Sequence, residues 1–313
     1  MRVVKITPRG YCYGVVDAMT LAQAVAADPN VPRPIYILGM IVHNRHVVEW
    51  LEREGIVTLD GADRLSLLEK VESGTVIFTA HGVSPQVKEA ARRKGLTVFD
   101  ATCPDVTRTH EVIRARAAEG YEIIYIGRKG HPEPEGAMGQ APGRVHLIET
   151  EEDLAALRLQ AEKVAVVTQT TLSQWDTERL VQKVKDRFPQ AEVYNEICLA
   201  TQLRQQAAVE QGRQCDVVIV VGDERSNNSN RLVQVVREIA GRPAYRIDNV
   251  SQLREEWLRG VETVGVTAGS STPSQIVREV IEFLERYEPG QPFAPRSAVE
   301  DGPIEIIPKR ARA

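Results

Sequence analysis

A pattern that recurs three times along the chain limits the folds that it can adopt. Each copy is a short apolar segment that ends in an acidic residue, with a leucine five positions further on, in residues 56–68 (IVTLDGADRLSLL), 144–157 (RVHLIETEEDLAAL) and 244–257 (AYRIDNVSQLREEW). The copies stand about 90 to 100 residues apart, an interval longer than that of solenoid repeats. Unless ordinary strand–helix units resemble one another here by chance, the spacing predicts three related units that fill most of the 313 residues.

The secondary-structure pattern within these units alternates between strands and helices. Short runs rich in valine and isoleucine predict strands buried on both faces, at 75–80, 122–127, 164–169, 216–222 and 263–268. The stretches that follow such runs, for example 84–95 and 229–241, predict helices that end at a glycine. This alternation predicts an α/β fold of three similar parallel-sheet lobes.

The repeat also sets the predicted boundaries of the lobes. We expect them at 1–100, 101–193 and 194–287, so that each lobe carries one cysteine of the set described below. Residues 288–313 are expected to form a loop-like tail, in which 304–310 (IEIIPKR) adds one last short strand.

Charge and hydropathy exclude several classes of protein. The chain has 39 basic and 43 acidic side chains, whereas nucleic-acid-binding surfaces are normally basic. It has no apolar run of about 18 residues, the length that a membrane-spanning helix needs. The first ten residues, MRVVKITPRG, lack the apolar stretch of a signal peptide, so we expect a cytoplasmic protein. We therefore expect neither a nucleic-acid partner nor a membrane.

Three of the four cysteines follow the period of the repeat. Cys12, Cys103 and Cys198 each come just after a predicted short strand and just before a predicted helix. In parallel α/β sheets, the carboxyl ends of the strands are where ligands bind. Cys215 precedes a strand instead and is expected to be an ordinary buried thiol. Because disulfides are rare in the cytoplasm, the three recurring thiols need another role.

Three thiols from three related lobes suit a soft metal or a cluster at a pseudo-threefold axis. The sequence lacks the closely spaced cysteine pairs of zinc sites, and thiolates are the usual ligands of iron–sulfur clusters. With three protein ligands, a 4Fe–4S cluster would keep one open iron that can act as a Lewis acid. Isolated cysteines are also common in protein cores, so the spacing by itself leaves both explanations open.

Nine short motifs give the chain a family resemblance. In chain order they are RGYCYGV (9–15), VHNRHVV (42–48), TAHGVSP (79–85), DATCPDVTRTH (100–110), GHPEPEGAMGQ (130–140), TQTTLS (168–173), EICLATQLRQ (196–205), SNNSNRL (226–232) and VTAGSSTP (266–273). Through them the chain resembles the 4-hydroxy-3-methylbut-2-enyl diphosphate reductases of the non-mevalonate isoprenoid pathway. The resemblance implies a three-lobed, trefoil-like α/β fold around a central 4Fe–4S cluster. It also implies a reaction, the reductive removal of the substrate's hydroxyl group to give isopentenyl and dimethylallyl diphosphates.

The resemblance assigns a role to the three recurring thiols. Cys12, Cys103 and Cys198 match the family's cluster ligands, which leaves one iron open for the substrate's hydroxyl oxygen. The sequence has neither the glycine-rich loop of an ATP site nor a dinucleotide fingerprint. Electrons are therefore expected from an external donor of the ferredoxin or flavodoxin type.

The resemblance also implies three catalytic residues, Glu133, Thr170 and His131. Loss of the hydroxyl as water needs a proton, and Glu133 in GHPEPEG matches the family's proton-delivering glutamate. Glu135, two positions further on, is the weaker candidate. Thr170 matches the hydroxyl that holds the substrate alcohol and relays protons, although a lone threonine after a strand otherwise predicts only a helix N-cap. Thr171 is a weaker candidate for contact with the substrate.

A diphosphate needs several hydrogen-bond donors, and the turns between strands and helices supply them. Helix N-termini at such turns offer free N–H groups and the positive end of a dipole to an anion. The family often has Ser-Ser-Asn where this chain has SNN at 226–228, so the middle position is expected to donate through its backbone. The substrate-binding residues that we expect, besides the two threonines above, are His43, His81, His131, Thr201, Ser226, Asn227, Asn228 and Ser271.

Two other functions stay open from the sequence. The first is a non-redox iron–sulfur dehydratase, which would remove water without consuming electrons. The second is a cluster-based sensor, which would bind its ligand without turnover and would not depend on Glu133 as a proton donor.

Overall fold

The computed structural model describes residues 1–61, 63–295 and 304–306. In this part of the chain the strands are β1 (Arg2–Lys5), β2 (Ile35–Leu38), β3 (Ile56–Leu59), β4 (Thr75–Phe78), β5 (Thr97–Asp100), β6 (Glu122–Ile126), β7 (Val145–Ile148), β8 (Val164–Thr168), β9 (Glu192–Tyr194), β10 (Val217–Val221), β11 (Ala244–Ile247) and β12 (Thr263–Ala268). The helices are α1 (Tyr13–Ala27), α2 (Arg45–Arg53), α3 (Arg64–Glu69), α4 (Pro85–Arg93), α5 (Pro104–Ala118), α6 (Pro132–Met138), α7 (Glu151–Ala156), α8 (Gln174–Arg187), α9 (Leu199–Gly212), α10 (Asn227–Val235), α11 (Glu255–Leu258) and α12 (Ser274–Glu285).

The strands form three parallel four-stranded sheets that share one internal order. The orders are β3-β2-β4-β5, β7-β6-β8-β9 and β11-β10-β12-β1. The two central strands of each sheet pair in a similar register. Ile35 of β2 is paired with Thr75 of β4, and Ile123 of β6 with Ala165 of β8. The predicted α/β fold with three parallel sheets is therefore confirmed.

The third sheet differs from the predicted lobe because its edge strand comes from the other end of the chain. In the first two sheets, α4 and α8 lead from the third strand of the sheet to the edge strand, β5 or β9. In the third sheet α12 follows β12, no further strand follows in the described residues, and β1 pairs with β12 instead. Strand β1 and the loop that carries Cys12 therefore belong with β10–β12, not with residues 35–100 as the predicted boundaries had it.

The third sheet shows why its strands are apolar at successive positions. On β10, Val217 and Ile219 belong to one buried cluster, which includes Ile276 of α12. The intervening Val218 belongs to a second cluster, which includes Leu232 of α10. Helices cover both faces, so a strand without polar alternation is stable there. Cys215 lies in the second cluster, as the sequence predicts for it, and burial raises the pKa of its thiol.

The described chain divides into two compact units. One comprises residues 1–16, 43–50 and the chain from 199 onward, and it contains the third sheet. The other comprises residues 17–42 and 51–198, and it contains the first and second sheets. No helix in the described ranges is long and apolar enough to cross a membrane.

The tail does not form the predicted strand in the part that the structure describes. Residues 304–306 lie along α12, where the Glu305 carboxylate is 3.0 Å from the Arg278 guanidinium and Ile304 is buried. The Glu305 N–H donates to the Gln275 side chain of the same helix, so it has no strand as its partner. The prediction is therefore wrong for 304–306, and residues 307–310 lie outside the described residues.

Candidate functional site

The three recurring cysteines occupy equivalent places in the three sheets. Each follows the edge strand β1, β5 or β9, and each backbone N–H donates to a carbonyl two residues beyond the end of the neighbouring strand. Cys12 donates to Ser270, Cys103 to Ala80 and Cys198 to Thr170, at 3.2, 3.0 and 3.1 Å. The repeat inferred from the sequence is thus a repeat of backbone geometry around each cysteine.

Each of these cysteines also stands at the beginning of a long helix. α1 begins at Tyr13, α5 at Pro104 and α9 at Leu199, and the helices have 14 or 15 residues. The positive end of a helix dipole favours a negative charge such as that of a thiolate. Cys12, Cys103 and Cys198 are partly exposed and not in disulfides, whereas Cys215 is buried. This donor set fits a group that takes thiolate ligands.

Glu133, the proton donor that the resemblance implies, lies in the first turn of α6. Its side chain is 2% exposed. Thr170 follows β8 and holds both carboxylate oxygens: its N–H donates to Oε1 at 2.7 Å and its hydroxyl lies 3.1 Å from Oε2. Burial raises the pKa of Glu133 to about 7, although the two bonds from Thr170 oppose that rise. The carboxyl group is therefore poised to exchange a proton near neutral pH.

His131 precedes α6 and is fixed in one tautomer. Its Nδ1 accepts a hydrogen bond from the Glu133 N–H, and the Gln169 amide nitrogen lies 3.2 Å from the same atom. Because Nδ1 serves as an acceptor, the proton of the neutral ring is on Nε2. The ring of His81 meets that of His131 edge-on, with centroids 5.2 Å apart. Two of the predicted histidines are therefore neighbours.

Sequence reasoning missed Gln169, which orders this part of the site. Its amide oxygen accepts from the Arg128 N–H at 2.8 Å, which turns the amide nitrogen towards His131. The same nitrogen donates to the Thr171 hydroxyl at 3.2 Å. Thr171 therefore contacts this network and not Glu133. The position of Gln169 inside the motif TQTTLS was the signal that could have found it.

The environment of Glu135 differs from that of Glu133. Glu135 accepts a hydrogen bond from the Arg64 N–H at 2.9 Å, and its carboxylate lies 3.6 Å from the buried guanidinium of the same residue. Burial raises the pKa of Glu135, and Arg64 opposes that rise. The carboxylate of Glu135 is thus paired with a cation, whereas that of Glu133 is held by the neutral donors of Thr170.

The turn before α10 gathers three predicted residues. Ser226 is the N-cap of α10 and accepts from the Ser229 N–H. Asn227 and Asn228 form the first turn, and each is 3% exposed. The Asn228 side-chain oxygen accepts from the Ser270 N–H at 3.0 Å, while its amide nitrogen is buried and has no hydrogen-bond partner among the described residues. A buried donor of this kind needs an acceptor, which an anionic ligand would supply.

His43 and Ser271 lie in the same compact unit as this turn. The Ser271 hydroxyl donates to the His43 carbonyl at 2.9 Å. Asp223, which sequence reasoning missed, supports the same region from the end of β10. Its buried carboxylate accepts from the Arg45 N–H, at the start of α2, and from the Arg225 N–H, both at 2.8 Å.

The predicted residues are thus distributed over two compact units, and each unit brings part of them together. Thr201 is 2% exposed in the first turn of α9. One unit contains Cys103, Cys198, His81, His131, Glu133, Thr170 and Thr171; the other contains Cys12, His43, Thr201, Ser226, Asn227, Asn228 and Ser271.

Comparison with known families and proteins finds close relatives. The family model described as LytB protein matches residues 3–285. The chain is 63% identical over 292 residues to a 4-hydroxy-3-methylbut-2-enyl diphosphate reductase of Halalkalibacterium halodurans, with 93% of each chain covered. It is 65% identical over 288 residues to the protein of the same name from Symbiobacterium thermophilum, with 92% of this chain and 98% of the relative covered.

Solved structures show the same likeness. The E-1-hydroxy-2-methyl-but-2-enyl-4-diphosphate reductase from Plasmodium falciparum matches with a TM-score of 0.85 and 35% identity, over 93% of this chain and 90% of that one. A second structure, described as (E)-4-hydroxy-3-methyl-but-2-enyl diphosphate reductase, the terminal enzyme of the non-mevalonate pathway, matches with a TM-score of 0.65 and 34% identity. It covers 92% of this chain and 100% of its own.

Proposed function

The chain belongs to the LytB protein family, and from that premise we propose that it is a reductase of 4-hydroxy-3-methylbut-2-enyl diphosphate. In the proposed reaction the C–O bond to the hydroxyl group breaks and a C–H bond forms. Two electrons and two protons are consumed, and the products are water and either isopentenyl or dimethylallyl diphosphate. The observation that carries this proposal is the buried Glu133–Thr170 pair, because it supplies the proton that the departing hydroxyl needs.

We propose that Cys12, Cys103 and Cys198 hold a 4Fe–4S cluster. The support is their position at three helix N-termini, their partial exposure outside any disulfide, and the equivalent backbone bond that each one makes. When bound, such a cluster supplies electrons and, with three thiolate ligands, one open iron that acts as a Lewis acid. We propose an external electron donor of the ferredoxin or flavodoxin type, since the sequence has no nucleotide-binding motif.

Glu133 and Thr170 form the proposed proton source. With a pKa of about 7, Glu133 is protonated in a substantial fraction of molecules at neutral pH. The 3.1 Å contact between the Thr170 hydroxyl and Oε2 lets a proton pass from the carboxyl group to the threonine oxygen while the threonine gives up its own. Thr170 can therefore hold the substrate's hydroxyl and relay the proton that converts it to water.

The diphosphate would be bound by neutral donors. We propose that His131 donates from Nε2, because its Nδ1 is occupied as an acceptor. His43 and His81 are the other proposed imidazole donors. In the α10 turn, the amide nitrogen of Asn228 has no acceptor in the described part of the chain, and the helix N-terminus adds a positive dipole end. The remaining proposed contacts come from Thr171, Thr201, Ser226, Asn227 and Ser271.

The test uses protein purified without oxygen. We expect it to contain iron and sulfide, and to oxidise reduced methyl viologen only when 4-hydroxy-3-methylbut-2-enyl diphosphate is added. Turnover of that substrate without electron consumption would favour a dehydratase. Tight binding of the substrate with no product would favour a sensor, and a folded, active protein without iron would exclude the cluster.

A further inference from the structure

The loop that carries Cys12 is built differently from the loops of the other two cysteines. Two residues separate β5 from Cys103 and three separate β9 from Cys198, whereas six residues separate β1 from Cys12. In the short loops a local side chain accepts a backbone N–H: Asp100 accepts from Thr102 and Asn195 from Ile197. Residues 6–11 (ITPRGY) contain no acidic or amide side chain, and the local side-chain bonds of this loop lie at its start, where Arg9 donates to the Lys5 and Ile6 carbonyls at 3.2 and 3.1 Å.

Arg204 of α9 holds the end of the loop that adjoins Cys12. Its Nε and Nη2 donate to the Gly10 carbonyl at 3.1 and 2.7 Å, and Nη2 also donates to the Tyr11 carbonyl at 2.9 Å. Nη1 donates to the Ala200 carbonyl of its own helix at 2.8 Å, which anchors the guanidinium group to α9. Arg204 is 5% exposed, its bonds to the Gly10 carbonyl are buried, and its bond to the Tyr11 carbonyl is partly buried. The two residues directly before Cys12 are therefore held by one side chain.

A second residue of α9 holds the far end of the same loop. Gln211 lies two helical turns after Arg204, and its side chain exchanges two hydrogen bonds with the backbone of Thr7, at 2.8 and 3.1 Å. Thr7 is five residues before Cys12, whereas the carbonyls held by Arg204 belong to the adjacent residues. Arg204 and Gln211 thus offer a matched pair of contacts that differ in their distance from the thiol.

Helix α9 also begins directly after Cys198. We propose that Arg204 is a positioning residue that keeps Cys12 in place as a ligand, by joining its loop to the helix that follows Cys198. This inference rests on the proposed function, because it takes Cys12 and Cys198 as ligands of the same cluster. Removal of the guanidinium would take these bonds from the Gly10 carbonyl, where they are buried, and from the Tyr11 carbonyl, which weakens the loop next to the thiol.

Arginine suits this position better than lysine does. The two carbonyls are contacted by donors on two nitrogens of one planar group, and a third nitrogen of that group returns to the helix. A lysine ammonium is a single point on a flexible stem and cannot reproduce that fork. Arg204→Lys is therefore expected to restore the loop only in part, whereas a purely electrostatic role would be restored fully.

The experiment compares Arg204→Gln, Arg204→Lys and Gln211→Ala with the natural protein. All four are reconstituted with iron and sulfide without oxygen, and the loss of visible absorbance is followed after addition of an iron chelator. Loss of charge-assisted bonds next to one ligand is expected to speed cluster loss by about tenfold or more in Arg204→Gln. Arg204→Lys should be intermediate, and Gln211→Ala should stay within about twofold of the natural protein, as its bonds are neutral and distant.

Hydrogen–deuterium exchange of the metal-free proteins gives a second readout. The segment around residues 10–12 should exchange faster in Arg204→Gln than in Gln211→Ala, while the thermal unfolding midpoints stay similar. Equal rates of cluster loss in Arg204→Gln and the natural protein, or equal effects of Arg204→Gln and Gln211→Ala, would overturn the inference. If Arg204→Gln does not fold, the comparison of Arg204→Lys with Gln211→Ala decides. A natural protein that takes up no iron refutes the proposed function instead, and the exchange data still test the loop.

Discussion

Replacement of Thr170 by valine should move the pH dependence of the reaction upward. The hydroxyl of Thr170 stabilises the ionised form of Glu133 through its contact with Oε2, while the backbone N–H keeps its bond to Oε1 in the variant. A hydrogen bond to a charged group contributes about 1.5 to 3 kcal/mol. One pKa unit corresponds to about 1.4 kcal/mol, so the pKa of Glu133 should rise by about one to two units from its value of about 7.

The sign of the expected change follows from the role of Glu133 as proton donor. The protonated carboxyl group is the active form, so kcat/KM falls as the pH rises through the pKa of Glu133. Thr170→Val should shift this falling limb to higher pH. The maximum rate should decrease as well, because valine cannot relay a proton. The position of the limb does not depend on that loss of amplitude.

The assay is the oxidation of reduced methyl viologen without oxygen, with kcat/KM measured across the neutral and alkaline range. Thr171→Val is the matched control, because the Thr171 hydroxyl accepts from Gln169 and the structure gives it no bond to Glu133. In Thr171→Val, kcat/KM should fall over the same pH range as in the natural protein, even if the rate itself is lower. Any charge of a bound cluster acts on both variants and cancels in their comparison. A limb that is unshifted or lower in Thr170→Val would refute Glu133 as the donor.

Three further predictions follow from the same contacts. Glu135→Gln should leave turnover within about tenfold of the natural rate but lower the free energy of unfolding by about 1 to 3 kcal/mol, because Arg64 loses its charged partner. Calorimetry and turnover measured on one sample check this prediction. A loss of turnover without a loss of stability would contradict it. Asp223→Ala should raise KM by about tenfold with a smaller effect on kcat, because the start of α2 and the turn before α10 lose their hydrogen bonds to the Asp223 carboxylate. An unchanged KM would show that Asp223 does not support the binding site. Cys215→Ala should keep the iron content of the natural protein while Cys103→Ala loses it, as iron analysis will show.

Much of the fold could be predicted because burial is encoded locally. A strand such as β10, with five successive apolar residues, has to be covered on both faces, and that requirement already predicts a parallel sheet with helices on either side. The predicted runs at 75–80, 164–169 and 263–268 coincide with β4, β8 and β12 to within two residues. The prediction placed β1 in the first lobe, whereas β1 pairs with β12 of the third sheet. No local pattern in its sequence, RVVK, indicates which sheet the strand joins.

The motifs of the sequence predict candidate site residues, but they do not predict the side chains that support those residues. Glu133 and Thr170 were identified by motif, and the structure pairs them. The supporting side chains bond to partners far along the chain, as Gln169, Asp223 and Arg204 do. The Gly10 carbonyl that Arg204 contacts is 194 residues away in the sequence. No periodicity of the sequence reports such a partner, because a hydrogen bond between distant segments leaves no local pattern.

Local patterns in the sequence are enough to predict three α/β units with a thiol after one strand of each. Period, apolar runs and turn residues are properties of neighbouring positions, and they specify elements and their repetition. The folded chain alone shows that β1 completes the sheet of β10–β12, and that Glu133 lies in surroundings that raise its pKa to about 7. Strand partners and the desolvation of a carboxyl group depend on every segment that packs around them, and chain folding is what brings those segments together.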